Sequence, residues 1–337
     1  MRLLRYAIRR ILLLVPVLLV AIFIAFALTR MLPGNPLARV LPPYISDEQR
    51  AEMMAEARLD RPFYEQFYLY LVDLLQGDMG VSYTTAQPVI VDLGSRFPAT
   101  FELVTAAMIL AVALAIPIGT SSAIYKDRWP DHTGRILSVM GVSMPIFWLA
   151  LLLLYTFFFK LEWAPAPLGR IGALLDPPEH ITGLYTVDAL LTGNWEVFGS
   201  AFSHLVLPVV VLGFTAMAPI ARMTRSSMID ALESEYIRTA VCMGLPQRLI
   251  NFQHAFKNAL LPILTITAAV YGYALGGVVL IEFVFSWPGM GLYVLNAILA
   301  SDFPAIQGFI ILVTTVYVLI YLVLDLVTVW FDPRVEY

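Results

Sequence analysis

The 337-residue chain is 59% hydrophobic and only 14% charged, with a mean hydropathy of +0.78, which excludes an ordinary soluble domain. Its net charge of −4 sums over both sides of a membrane, and its Lys and Arg residues are dispersed, not gathered into the basic stripe of a nucleic-acid binder. A single cysteine, Cys242, excludes an intrachain disulfide and any cysteine-based metal site.

Apolar runs of about 18 residues or more can cross a bilayer. Six occur, at Ile11–Leu28, Phe101–Ile124, Ile136–Phe159, Leu205–Met223, Leu264–Ile281 and Ile306–Trp330. The expected fold class is therefore an all-α integral membrane protein with six transmembrane helices, a single domain over residues 1–337. The first run is too long for a signal peptide, lacks a small-residue cleavage site, and is expected to remain as an anchor. Arg2, Arg5, Arg9 and Arg10 precede it and place the N-terminus in the cytoplasm.

After the first span comes an outer insertion over about 32–98, with five Arg and nine acids. Ser46 and Gln49 are spaced as a helix capping box, followed by Glu52 and Glu56. Asp60-Arg61-Pro62 opens a second helix, with proline tolerated in the first turn. Its apolar stripe is Phe63, Phe67, Tyr70, Leu71, Leu74 and Leu75, and Gly77 is its stop. Lys126, Arg128 and Arg135 mark the loop between spans two and three as cytoplasmic. Pro145 breaks the backbone ladder of span three, and Pro208 and Pro219 that of span four. Residues 160–203, rich in Pro, Gly, Asp and aromatics, read as an irregular outer cap. The 282–305 segment has Glu282 and Asp302 but no Lys or Arg, so it too lies outside. Glu102 and Glu282 are expected at span ends, reaching headgroups or water, and Asp325 is expected at the interface or paired with Arg334. The C-terminus returns to the cytoplasm.

Between spans four and five lies a polar, positively biased loop over about 226–262. Arg222, Arg225, Arg238, Arg248 and Lys257 put five cations in or beside it. Met228, Ile229, Leu232, Tyr236 and Ile237 recur at a helical period, so one face is apolar. Gly244 suits the left-handed turn that closes a helix, and Pro246 the start of the next. An amphipathic helix held on polar flanks at the cytoplasmic face invites a protein partner.

These residues resemble a known family. Glu235-Tyr236-Ile237-Arg238-Thr239-Ala240, Gly244-Leu245, His254-Ala255 and Asn258-Ala259 before Pro262 are similar to the permease loop of bacterial ABC importers. The likeness is to the B-type permease of the dipeptide, oligopeptide and nickel subfamily. It continues through Pro33-Gly34-Asn35-Pro36, Gly77-Asp78-Met79-Gly80-Val81-Ser82, Pro145-Ile146-Phe147-Trp148, Arg222 to Met228, and Phe285-Ser286-Trp287-Pro288-Gly289-Met290-Gly291. It departs from the usual pattern at Val241-Cys242-Met243 and at Asn35.

The resemblance implies that the loop is a coupling helix that docks on an ATPase subunit. Its contact set would be Leu232, Glu235, Tyr236, Ile237, Arg238, Thr239, Ala240, Gly244 and Leu245. It implies a second, C-type permease, two cytoplasmic ATPases that use ATP and magnesium, an outer substrate-binding protein, surrounding membrane lipid, and the bacterial inner membrane as location. The implied cargo is a di- or oligopeptide; nickel or another small solute is the alternative, and an ion-coupled secondary transporter the alternative from a different class. The chain itself has no Gly-Lys dipeptide and hence no P-loop, so no catalytic residue and no bound cofactor or metal is expected.

Span five carries Ala268, Gly272 and Gly276, a small-residue line that permits close helix approach. With Thr265, Tyr271, Tyr273 and Gly277 it is the candidate translocation pathway, or else a packing seam. The four histidines show no metal-ligand spacing; His204, at the mouth of span four, reads as a polar cap.

Overall fold

The computed structural model describes residues 2–31 and 61–331. Among them the regular elements are helices. Arg2–Met31 is α1, Phe63–Leu75 α2, Val89–Ile124 α3, Trp129–Ser143 α4 and Ile146–Leu153 α5, which continues as a π-helix to Lys160. Then follow α6 (Tyr185–Leu191), α7 (Trp195–Leu232) and α8 (Glu235–Cys242). A turn at Gln247–Leu249 and a π-helix at Ile250–Ala255 lead into α9 (Phe256–Gly277), then α10 (Val279–Val284), α11 (Met290–Ala300) and α12 (Phe303–Phe331).

Among the described residues five helices are long and apolar enough to span a membrane, six if α4 and α5 with its π-helical extension count as one span bent by 102°. A bilayer core offers backbone groups no water, so helices that satisfy their own hydrogen bonds are the expected solution. The bend falls at Met144-Pro145, where proline lacks the amide that would continue the ladder. Pro208 and Pro219, by contrast, lie inside a helix that runs unbroken from Trp195 to Leu232.

The chain forms two compact units, one of Met1–Phe97 with Leu292–Val318, the other of Pro98–Gly291 with Leu319–Tyr337. In the first, Phe26 on α1 meets Phe63, Phe67 and Tyr70 of α2 with ring centroids 5.3 to 5.4 Å apart. Of the stripe expected on α2, Phe63, Phe67 and Tyr70 pack through their rings, while Leu75 is 89% exposed; Gly77, at φ +83°, ends the helix as expected. Asp302 accepts the Ser82 hydroxyl at 2.6 Å and the Thr84 amide at 2.9 Å, tying the loop before α3 to the start of α12. Buried Gln307 donates to Thr29 of α1.

In the second unit α7 is the hub: α9, α4, α6 and α5 all pack on it. Glycines permit the close approaches. A Cβ on Gly119 of α3 would lie 2.6 Å from the Ala221 carbonyl of α7, and one on Gly141 of α4 would lie 2.9 Å from Ala218. Close backbone approach gains dispersion contacts where lipid provides no hydrophobic drive between helices.

Several expectations are corrected here. The helices begin before the hydropathic runs: α3 starts at Val89, not Phe101, and α7 at Trp195, not Leu205. The segment 160–203, expected to be an irregular outer cap, is irregular only over about 161–184. Span five ends at Gly277, and Val279–Val284 is a separate short helix. Glu102 and Glu282 do not reach headgroups or water; both are buried. Glu102 accepts the guanidinium of buried Arg170, the Thr186 amide at 2.8 Å and the Thr186 hydroxyl at 2.6 Å. Glu282 accepts the Thr100 hydroxyl at 2.5 Å. Each acid binds a segment distant in sequence, which no local hydropathy window reveals. The Ser46–Gln49 capping box and Arg334 lie outside the described residues.

Outside the spans, Asp188 holds the loop before α6. Burial pushes its carboxyl up, but the Thr182 hydroxyl and the amides of Thr182, Gly183 and Ile181 outweigh that and bring it below the usual carboxylate range.

Gly119→Ala should lower the thermal midpoint of the detergent-purified protein, because backbone meets the new methyl. Gly199→Ala, with open space around it, should leave the midpoint unchanged; fluorescence-detected unfolding compares the two.

Candidate functional site

The polar loop that follows α7 folds as a short helix closed and braced by hydrogen bonds. α7 stops at Leu232, and Ser234, in extended backbone, restarts the chain as α8. The apolar stripe expected across Met228 to Ile237 is thus split over two helices. Met228 and Leu232 belong to the end of α7, Tyr236 and Ile237 to α8. Two hydrogen bonds close α8, from the Leu245 amide to the Ala240 carbonyl at 3.2 Å and from the Gly244 amide to Val241 at 2.9 Å. That pattern needs a left-handed residue, and Gly244 has φ +75°. Pro246 then precedes the turn at Gln247, as its sequence position suggests.

Of the expected contact set, Ile237 and Ala240 are buried and seat α8 against the π-helical turn Ile250–Ala255. Glu235, Tyr236, Arg238, Thr239 and Gly244 are exposed, with Leu245 half-buried. Val241 and Met243 extend this outer face, Met243 at 68% exposure. Arg238 reaches Glu235 at 2.8 Å in an exposed pair. Asn258, at the start of α9, donates to the Tyr236 hydroxyl at 2.7 Å, so the helix is braced from its C-terminal neighbour as well.

Two ion pairs hold the other side of this assembly. Arg225 of α7 grips Asp131 of α4 with two bonds, Nε at 2.6 Å and Nη2 at 2.8 Å; Asp131 is fully buried. Bidentate geometry makes this the stronger class of ion pair. Lys126, in the loop between α3 and α4, meets Glu233 at 2.6 Å. Their direct hydrogen bond raises the Lys126 ammonium and lowers the Glu233 carboxyl. The loop 125–128 and the base of α8 are thereby joined.

The small-residue line of the fifth span divides. Ala268 and Gly272 are buried and Tyr271 shares a 2.6 Å hydrogen bond with Thr105 of α3. Thr265, Tyr273, Gly276 and Gly277 are exposed, Tyr273 at 82%. One half of the line is a packing seam; the other faces away from this chain. His204 holds the Ser200 carbonyl through Nδ1 at 2.8 Å, as a local cap. No metal-binding group of His, Cys, Asp and Glu occurs among the described residues.

Residues 115–337, which include α8 and both ion pairs, match the family described as binding-protein-dependent transport system inner membrane component. The chain belongs to this family. It is 44% identical over 312 residues to a probable D,D-dipeptide transport system permease protein of Escherichia coli, covering 93% of this chain and 92% of that one. It is 41% identical to a dipeptide transport system permease protein of Alkalihalophilus pseudofirmus, over 99% of this chain and 100% of the other. To a di/tripeptide transport system permease protein of Pseudomonas aeruginosa it is 39% identical, over 98% of each.

Sequence reasoning on this transport component found α8 but missed what holds it. Asp131 and Glu233 carried no motif, Lys126 was read only as a marker of the cytoplasmic side and Asn258 only as part of the family's loop; their partners lie 22 to 107 residues away. The one available signal was Asp131 in the first turn of a helix, just after Pro130.

Gly244→Ala should cost about 1–2 kcal/mol at the left-handed position and raise amide exchange across 235–245, read by hydrogen–deuterium exchange. Asp131→Asn should cost on the order of 2 kcal/mol by removing a charge-assisted pair; a thermal midpoint unchanged against wild type would contradict this. The Lys126–Glu233 pair contributes fully between the two groups' ordinary ranges. Its contribution fades as pH falls through the lowered Glu233 value or rises through the raised Lys126 value, so across neutrality salt, not pH, should loosen it.

Proposed function

We propose that this permease forms half of the translocation pathway of an ATP-driven importer for di- or oligopeptides, with α8 as the coupling helix. The observation that carries the reading is the mounting of α8. It sits between α7 and the turn leading into α9, shows a mixed charged and apolar outer face, and is braced by Tyr236–Asn258 and Lys126–Glu233. A partner that displaces α8 would move α7 and α9 with it. The near full-length likeness to dipeptide permeases supports the cargo class.

In this reading both termini and α8 lie in the cytoplasm, where Arg2, Arg5, Arg9 and Arg10 at one end and Lys126, Arg128 and Arg135 in the first inner loop would place them. The other half of the pathway is a C-type permease. Two cytoplasmic ATPases supply the work with ATP and magnesium, and an outer binding protein delivers the peptide. This chain contributes no catalytic group. Glu235, Tyr236, Arg238 and Thr239 would contact the ATPase; Ile237 and Ala240 would hold the helix in place. The exposed half of the fifth span, Thr265, Tyr273, Gly276 and Gly277, would face the second permease or the solute, with Ala268, Gly272 and Tyr271 packing behind it. The closing motion of the ATPases does work only if the two states of the bundle differ in their contacts with α8.

Uptake of a labelled dipeptide into vesicles holding the whole assembly, compared between wild type and E235A/R238A, tests this. The variant should lose about tenfold or more of both uptake and binding-protein-stimulated ATP hydrolysis, a change of about 1.4 kcal/mol or more in coupling. Unchanged rates would reject α8 as the docking element. Stimulated hydrolysis in the wild type with nickel uptake but no peptide uptake would reject the cargo.

A further inference from the structure

A cavity of about 310 Å³ opens among α3, α4 and α7 within the second unit. Its walls include Ile118, Ser138 and Val139, and its cations are Arg135, Arg222 and Arg225. No carboxylate lines it: Asp131, which pairs with Arg225 and lies 3.7 Å from Arg135, is not part of the lining. One buried acid, Asp131, thus stands beside two of the three guanidinium groups; exposed Asp127 adds negative charge near Arg225, and Arg135 also shares a 2.9 Å hydrogen bond with His132. Arg222 is exposed and has no ion pair among the described residues.

The level of the cavity on the bundle is defined by its surroundings. The apolar run of α7 stops at Met223, so Arg222 and Arg225 stand where hydrocarbon gives way to the polar layer. Tyr125 and Trp129, the latter 77% exposed, sit at the neighbouring helix ends; exposed tyrosine and tryptophan collect at that layer. Running away from the cavity, α4 shows Ile136, Val139 and Val142 outward, each more than half exposed. A site with guanidinium groups at headgroup level, an apolar-walled recess and an apolar helix face beside it matches one amphiphile. It has phosphate at one end and hydrocarbon at the other.

The geometry points to a binding site for an anionic phospholipid, its phosphodiester held by Arg222 and Arg135 and an acyl chain laid along α4. Guanidinium forks match phosphate oxygens with paired hydrogen bonds, and basic pockets between membrane helices are suited to anionic headgroups. Arg225 is occupied by Asp131, so it contributes field more than contact. The lipid would thus sit beside the pair that joins α4 to α7, and its occupancy would reinforce that joint. The inference rests on the proposed function only for the membrane setting; its test reads lipid retention, which requires no transport, so the two can fail separately.

The purified assembly, stripped in detergent, is titrated with phosphatidylglycerol, phosphatidylcholine or inorganic phosphate, and retained lipid is counted by native mass spectrometry. Wild type should retain phosphatidylglycerol over phosphatidylcholine, and R222Q/R135Q should lower that retention by about tenfold. R222K, which keeps the charge, should restore part of it beside R135, and K160Q should change nothing. Single R222Q, at an exposed position, serves where the double variant is not monodisperse. Equal retention in R222Q and wild type would overturn the site. So would displacement of the lipid by inorganic phosphate at matched concentration, which would indicate a free-anion site. Cross-linking of V139C to the second permease in native membranes would likewise overturn it, by making the cavity a subunit seam.

Discussion

Backbone-to-backbone approach along α7 is the contact on which the second unit is built. Helices in hydrocarbon gain little from hiding apolar side chains, because lipid tails are as apolar as leucine, so affinity must come from close packing. Gly119 and Gly141 supply it, each leaving no room for a Cβ against the facing helix, and Gly213 brings α7 close to α3, where a Cβ would lie 3.0 Å from the Ala107 carbonyl. The helix they surround is also the one that ends at the base of α8. Rigid seating of α7 and a short, firmly capped α8 are two parts of one mechanical arrangement.

Charges are placed by the same economy of surroundings. Buried acids in this chain come with donors: Glu102 with Arg170 and Thr186, Glu282 with Thr100, Asp131 with Arg225, Asp302 with Ser82 and Thr84. An ionised carboxylate is costly away from water unless hydrogen bonds replace its solvation. Each acid therefore serves as a fastener between segments far apart in sequence. Arg170 adds a ring contact, its guanidinium 3.5 Å above Tyr185. Gly289 is required by this arrangement, since a Cβ there would lie 2.1 Å from the Glu282 carboxylate.

The region around α8 combines stiffness with an open face. A closing turn at Gly244, a brace from Asn258 and a seat on Ile250–Ala255 fix the helix from within. Glu235, Tyr236 and Arg238 stay outside. The contacts that fix the helix run to the turn before α9 and to its first residues. The Asp131–Arg225 pair extends the same connection to α4, beside the arginine-lined cavity.

The amino-acid sequence by itself determined the all-helical membrane class, the approximate number of spans, the family, and the position of the loop that became α8 with its closing turn at Gly244, but not the loop's ends, since α7 runs on to Leu232 and α9 begins at Phe256. Those features depend on composition, run length and local chemistry. Gly244 suits a left-handed turn by its own chemistry, whereas Pro145 breaks its span and Pro208 and Pro219 do not break theirs, so proline alone does not settle where a helix ends. What only tertiary structure decided was the partner of each buried charge, the split of the Met228–Ile237 stripe between two helices, and the inward or outward face of each fifth-span residue. Glu102 and Glu282 look like interfacial acids in a hydropathy window, because a window cannot see Arg170 or Thr100. Helices also extend past their hydropathic runs: Val89 is buried at the start of α3, and Asn194 caps the start of α7 by accepting the Val197 amide at 3.1 Å, a local signal that hydropathy does not read. Pairing across 68 or 182 residues depends on how the chain returns to itself, and hydrogen-bond satisfaction in a dry interior selects the return that leaves no charge alone.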